Sequence, residues 1–493
     1  MKAIQLIWNK AFLIITLCFI VIINIALASN DYDLLYMTLA VIPVCLAIYF
    51  MLLESYHFIL LITFLAPLSI PINLAGGSQL YFPSELIIGL FTILFLAKNL
   101  HTLTINKRIL THPLTLILLA DLSWMLIACI FSNIPLVSFK RLFVRCCFLT
   151  VFYFGFSSII QSPQKFLKVF IAYAIGTIIP VIYAVVFLYR HDFIIMAHTQ
   201  MTKPFFVDHG LFGACMAFIT PFAVIAFLHF KGMNKLVLFS ILLIVVSGLF
   251  FSYSRASWMS LCVAGVMYFL IWIRIKVPVI LLSVSILFLL AFIFRNDIES
   301  YSKANDSVSN KDLFQHVKSV GNVKTDASNT ERINRWKSAG RMFADRPFTG
   351  FGPGTYQFIY SRYQSHSDLT RISTFSGDKG SCHSEYLTYL SETGLPGFII
   401  FLILVLYSFQ IALKNIYRSK GMSNYLSIAA FLGLITFYVH GLFNNFIDSD
   451  KMALLVIGSL SVLMWVDNYL SDEDAKEIEQ EKILTFDISK NVD

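Results

Sequence analysis

Leu236-Val-Leu-Phe-Ser-Ile-Leu-Leu-Ile-Val-Val-Ser-Gly-Leu-Phe-Phe-Ser-Tyr253 runs for 18 residues without a charge. As an α-helix it would be about 27 Å long, close to the roughly 30 Å of a bilayer's hydrocarbon core. Comparable runs lie near 11–29, 34–53, 57–74, 84–97, 113–132, 143–160 and 168–189, and then near 209–230, 257–273, 277–294, 396–413, 425–444 and 452–470. With 236–253 they number fourteen, or twelve if two of the short or closely spaced runs are re-entrant or interfacial. The chain of 493 residues is 57% hydrophobic and 13% charged, whereas a soluble domain holds about 45–50% apolar and about 25% charged residues. A string of soluble domains is excluded. The sequence specifies an all-α integral membrane protein with 12–14 transmembrane helices.

In such a protein the net charge of +8 is an orientation signal and does not point to nucleic acid. With a cytoplasmic N-terminus, the inner short segments hold fourteen Lys and Arg and the outer ones six, namely Lys140, Arg141, Arg190, Lys203, Arg255 and Lys451. Both termini are then expected on the inside. Ala26-Leu27-Ala28 resembles a signal-peptidase site, but the apolar run before it is long for a signal peptide, so a retained first helix is expected. Of eight cysteines only Cys382 lies in a polar stretch, so no disulfide framework is implied.

The expected organisation is a helix bundle over 1–294, a large outer loop over 295–395, further spans over 396–470 and an acidic cytoplasmic tail over 471–493. A loop of that length translocates largely regardless of its charge. Its first part, 300–329, is rich in Ser, Asn, Asp and Lys and reads as flexible. Ser328 and Glu331 then form a capping-box pattern, followed by Ile333, Trp336, Ala339 and Phe343 at helical spacing and a stop at Asp345-Arg346-Pro347. Gly350, Gly352, Pro353 and Gly354 predict a tight turn before Tyr356, Phe358 and Tyr360. A second helix is expected from His383 to Ser391, punctuated by Gly394.

The spans are nearly free of mid-bilayer charge, with Asp121, Arg145 and Glu85 as exceptions. A secondary transporter usually shows several such residues or broken helices at the midplane. Here the polar chemistry gathers at the outer rim and in the loop. Arg255, beside Tyr253 and three serines in Phe251-Ser-Tyr-Ser-Arg-Ala-Ser-Trp258, is either a snorkelling anchor or a bidentate phosphate ligand. Arg332 and Arg335, with Arg341 further along, suit an oligoanion or a solvated helix face. His383 has the chemistry of a general base. Asp208-His209 opens a span, as an interfacial anchor or as lining of the site. Asp448-Ser449-Asp450 has the form of a metal-binding pair, but short acidic loops are common. Gly350–Gly354 lacks the Lys-Ser/Thr of a P-loop, and no Cys/His cluster has zinc spacing.

Together these fragments resemble the bacterial O-antigen ligase family. His383-Ser384, nine residues and then Gly394-Leu-Pro-Gly397 match its histidine motif. Arg332-Ile-Asn-Arg-Trp336 and Arg346-Pro-Phe-Thr-Gly-Phe-Gly-Pro-Gly-Thr-Tyr356 look like its Arg-x-x-x-Trp and Pro-x-x-Gly-x-Gly stretch, while Ser254-Arg255-x-x-Trp258 and Asp208-His209-Gly210 resemble its rim segments. The resemblance covers roughly 200–445; the count of fourteen departs from the twelve spans typical of the family. It implies a GT-C-like glycosyltransferase of the bacterial inner membrane, active at the periplasmic face, with no cofactor or metal. Its donor would be an undecaprenyl-pyrophosphate-linked glycan and its acceptor a sugar hydroxyl of lipid A–core, with inversion at the anomeric carbon. Catalytic roles would fall to His383, which deprotonates or orients the acceptor, and to Arg255 and Arg332, which neutralise pyrophosphate. Arg335, Arg341, His209 and Tyr253 would bind substrate. Wzy-type polymerases, which use a lipid-linked glycan as acceptor, share this architecture; an exporter or flippase would instead need a polar path through the spans.

Overall fold

The computed structural model describes residues 55–73, 79–102, 106–193, 200–274, 327–366, 369, 373 and 380–490. The expected spans at 11–29, 34–53 and 277–294, the Ala26-Leu27-Ala28 stretch and residues 300–326 lie outside the described residues. Within them, eight helices are long and apolar enough to cross a membrane. These are α4 (Pro113–Ile130), α5 (Pro135–Ile159), α6 (Pro163–Arg190), α7 (His209–His229), α9 (Arg255–Trp272), α12 (Glu385–Arg418), α13 (Gly421–His440) and the first part of α14 (Asp450–Lys490). The other helices are α1 (Ser55–Leu65), α2 (Ser84–Thr102), α3 (Lys107–Thr111), α8 (Lys235–Phe251), α10 (Ala327–Asp345) and α11 (Tyr356–Ile359). The chain is an all-α integral membrane protein.

Helix starts follow local chemistry. The side chains of Asp208, Asn234, Ser254 and Ser384 each accept a backbone N–H of the following first turn. They satisfy donors that have no partner inside the helix. Two expectations change. The apolar run at 57–74 is not one span: α1 ends at Leu65, and Ile70–Asn73 (β1) pairs antiparallel with Gln79–Phe82 (β2), Ile70 opposite Phe82. Pro67 and Pro71 lack the N–H a continuing helix needs, which explains the break. The helix expected to be capped at Ser328 already includes Ala327, and Glu331 instead pairs with Arg335 and Ser373.

Helix α7 is apolar on every side and largely buried, as a central helix must be. It approaches α13 so closely that a Cβ on Gly433 would lie 2.7 Å from the Phe218 ring. Without a hydrophobic driving force between helices in lipid, such close backbone approach supplies the packing. At the periphery Leu236, Ile130, Phe143 and Leu406 are apolar and more than half exposed, which suits a lipid-facing surface.

The loop has its own small core of Ala339, Met342, Phe351, Tyr356, Ile359, Tyr360 and Cys382. The turn after α10 is locked to α12: the Glu392 carboxylate accepts the Gly354 N–H (2.7 Å) and the Tyr356 N–H (2.9 Å). Gly394, at φ 70° and ψ −172°, interrupts α12 where the sequence predicts a stop. Two ion-pair groups mark the ends of the bundle. Asp467 meets His112 (3.3 Å) and Lys414 (2.6 Å) at one end, and Asp448 meets Arg141 (2.8 Å) and Arg145 (2.9 Å) at the other, beside the loop.

Candidate active site

Three helices begin at the loop end of the bundle within reach of one another. The first turn of α7 packs on the start of α9, because a Cβ on Gly213 would lie 2.7 Å from both Ser252 Oγ and Ser257 Oγ. The end of α13 lies against the start of α12: the Glu385 N–H donates to the Gly441 carbonyl (2.8 Å), and the Glu385 carboxylate takes the Ile447 N–H (2.7 Å). Helix N-termini carry partial positive charge and N–H groups without intrahelical partners, so their convergence favours an anion.

His383 immediately precedes this start of α12. It is half-buried, its backbone is left-handed at φ 52°, and Trp336 Nε1 of α10 donates to its carbonyl (3.1 Å). A non-glycine residue at positive φ is strained and persists only where its surroundings hold it. Its Nδ1 lies 3.2 Å from Asn444 Oδ1; Asn444 Nδ2 lies 2.9 Å from His440 Nε2, and His440 Nδ1 lies 3.4 Å from Ser257 Oγ. Burial first, and then the Arg335 and Arg332 guanidiniums, lower the His383 pKa to about 4. The imidazole is therefore neutral near pH 7.

Arg332 on α10 exerts its charge on Asp208 and His209 at the head of α7 as well as on His383 and His440. Burial raises the Asp208 carboxyl pKa despite its donors Leu211 and Gly210 and the nearby Arg332. Arg255 is half-buried and opens α9 directly after Ser254. Tyr253 is also half-buried, left-handed at φ 51°, and packs on the main core. Thus the structure gathers His383, Arg332, His209 and the start of α9.

Two expected substrate ligands also make contacts within the loop. Arg335 pairs with Glu331 (3.0 Å), donates to the Ser381 carbonyl (2.9 Å) and covers the Tyr360 ring at 5.4 Å. Arg341 donates to the Tyr363 carbonyl (2.8 Å). Both brace the loop. The Asp448 pKa is pushed up by burial but held below the usual carboxylate range by Arg141 and Arg145, and Asp450 accepts from Ser69 (3.0 Å) and from Ser84. These carboxylates are tied into helix contacts. His440 and Asn444 were missed by the motif reading. Their signal was a histidine and an amide at the end of an apolar run, which on its own looks like an interfacial anchor.

The architecture is that of a polytopic helical membrane protein with a cationic, imidazole-bearing site closing one end of its bundle. Residues 238–402 match the family model Wzy_C, described as O-antigen ligase, and this segment carries Arg255, Arg332 and His383. Over α9, α10 and the start of α12 the chain is thus similar to the O-antigen ligase family. No curated protein matches the chain.

Proposed function

We propose that the protein is an O-antigen ligase-like glycosyltransferase of the bacterial inner membrane. Its donor would be a glycan on undecaprenyl pyrophosphate and its acceptor a sugar hydroxyl of lipid A–core, at the periplasmic face. The observation that carries this reading is that Arg332 and the starts of α7, α9 and α12 come together near a neutral, half-buried His383, with Arg255 opening α9. The family match over 238–402 supports a glycosyltransferase of ligase or polymerase type.

The chemistry follows from the groups present. The acceptor oxygen attacks the anomeric carbon as the bond from that carbon to the pyrophosphate oxygen breaks, which inverts the centre. His383 takes the hydroxyl proton; the departing pyrophosphate collects negative charge, which the guanidiniums of Arg255 and Arg332 and the helix N-termini stabilise. Because Arg335 and Arg341 hold the loop together, we assign the pyrophosphate to Arg255 and Arg332. The lipid-facing helices accommodate the polyprenyl tail.

The test is reconstitution of the purified protein with an undecaprenyl-pyrophosphate-linked glycan, with lipid A–core added to one sample and withheld from another. Glycan on lipid A–core, abolished by His383→Ala, is the expected result. Ladders on the polyprenyl carrier in both samples would make it a polymerase that uses the same residues. Product in neither would overturn the assignment.

A further inference from the structure

Behind His383 lies a chain of hydrogen bonds whose direction is set at its far end. The Ser257 hydroxyl donates to Ser254 Oγ (2.8 Å), the oxygen that also caps α9. Its single proton is then used, so at the 3.4 Å contact Ser257 accepts and His440 Nδ1 donates. A neutral His440 consequently offers the lone pair of Nε2, which accepts Asn444 Nδ2 at 2.9 Å. With its nitrogen committed there, Asn444 turns its oxygen to His383 Nδ1 at 3.2 Å. An amide oxygen only accepts, so His383 Nδ1 must carry the proton.

We propose that Asn444 and His440 are positioning residues that hold His383 in its Nδ1–H tautomer and leave Nε2 free to accept a proton. Both are buried, at 6% and 2% exposure, whereas His383 is half-buried at the site. They therefore act through His383. The role in catalysis rests on the function proposed above; the tautomer does not. The same chain ties the base to the head of α9, one residue from Arg255, so one network sets the position of both the proton acceptor and the anion-binding end.

Other charged groups facing His383 are Arg332, Arg335 and Glu331, all from α10. They set how readily it is protonated, while the side of the ring that is protonated depends on Asn444. The test is made on the full-length protein in lipid nanodiscs. Long-range ¹H–¹⁵N spectra of ¹⁵N-histidine-labelled protein, with His383→Gln for assignment, should report Nδ1–H at His383, and Asn444→Leu should abolish that preference. In the transfer assay Asn444→Leu should lose tenfold or more at every pH. Asn444→Asp keeps the acceptor and adds a charge; it should retain transfer while its acid limb of kcat/KM moves up by about one unit or more. An Nε2–H tautomer in the wild type would overturn the proposal, as would equal loss in both variants with an unmoved limb. Nδ1–H lost in Asn444→Leu, in a protein that transfers no glycan, would support the positioning and overturn only the reaction.

Discussion

Trp336 Nε1 donates to the carbonyl of His383 at 3.1 Å, across 47 residues of chain, and so joins the arginine-bearing helix of the loop to the histidine at the head of α12. The indole holds a backbone in the left-handed region, φ 52°, that histidine seldom adopts. Replacing Trp336 by Phe keeps most of the packing and removes that donor. A hydrogen bond of this kind is worth about 0.5–1.5 kcal/mol, so transfer by Trp336→Phe should fall roughly two- to tenfold. Unchanged turnover by the reconstituted variant would show that the backbone of His383 needs no such support.

Arg255→Lys and Arg332→Lys keep the charge but lose the planar fork that grips two phosphate oxygens at once. If both guanidiniums act on the leaving group, each variant should lose on the order of 10²-fold in kcat/KM. Arg341→Lys, at a residue that braces Tyr363, should lose far less. Steady-state kinetics on the three variants side by side would expose a wrong assignment if Arg341→Lys proved the worst.

The pH dependence follows from the low pKa of His383. Burial, then Arg335 and Arg332, lower it to about 4, and a base must be unprotonated to act. Activity should thus stay level from about pH 8 down past the ordinary histidine value of about 6.5, and fall only as pH approaches 4. Since kcat/KM reports the free enzyme, its profile is the one to measure. An acid limb at about 6.5 would show a solvated, unperturbed imidazole.

Gly394 is the point where α12 changes direction. A Cβ there would sit 2.1 Å from the Phe348 carbonyl oxygen, and the backbone has φ 70°. Gly394→Ala must either shift the turn after α10 or straighten the helix, at a cost of about 2 kcal/mol or more. A lower Tm in detergent and a loss of transfer are expected together. A variant with normal stability and activity would refute the requirement for the kink.

Chelators should have little effect. Asp448 is paired with Arg141 and Arg145 at 2.8 Å and 2.9 Å, and Asp450 is tied to Ser69 and Ser84. Inhibition by EDTA that is reversed by a divalent cation would bring these two carboxylates back as ligands.

The sequence by itself determined the class of fold and pointed to the candidate site. Hydrocarbon demands that backbone hydrogen bonds be satisfied internally, which an unbroken apolar run of about 20 residues does as a helix, so runs such as 209–230 and 425–444 appear as α7 and α13 within a few residues of their expected ends. Charge is costly within the spans, which turned attention to the rim and the loop; the motif resemblance then singled out Arg255, Arg332 and His383, and Gly394 punctuated its helix as expected. Tertiary structure alone decided what each group faces. Arg332 and Arg335 lie three residues apart on one helix and both act on His383, yet only Arg332 also bears on His209, while Arg335 is held by Glu331 and Ser381. Asn444 meets His383 across 61 residues and Ser257 meets His440 across 183. Local composition carries no record of such contacts, because they arise from how separate helices pack and which face each turns inward.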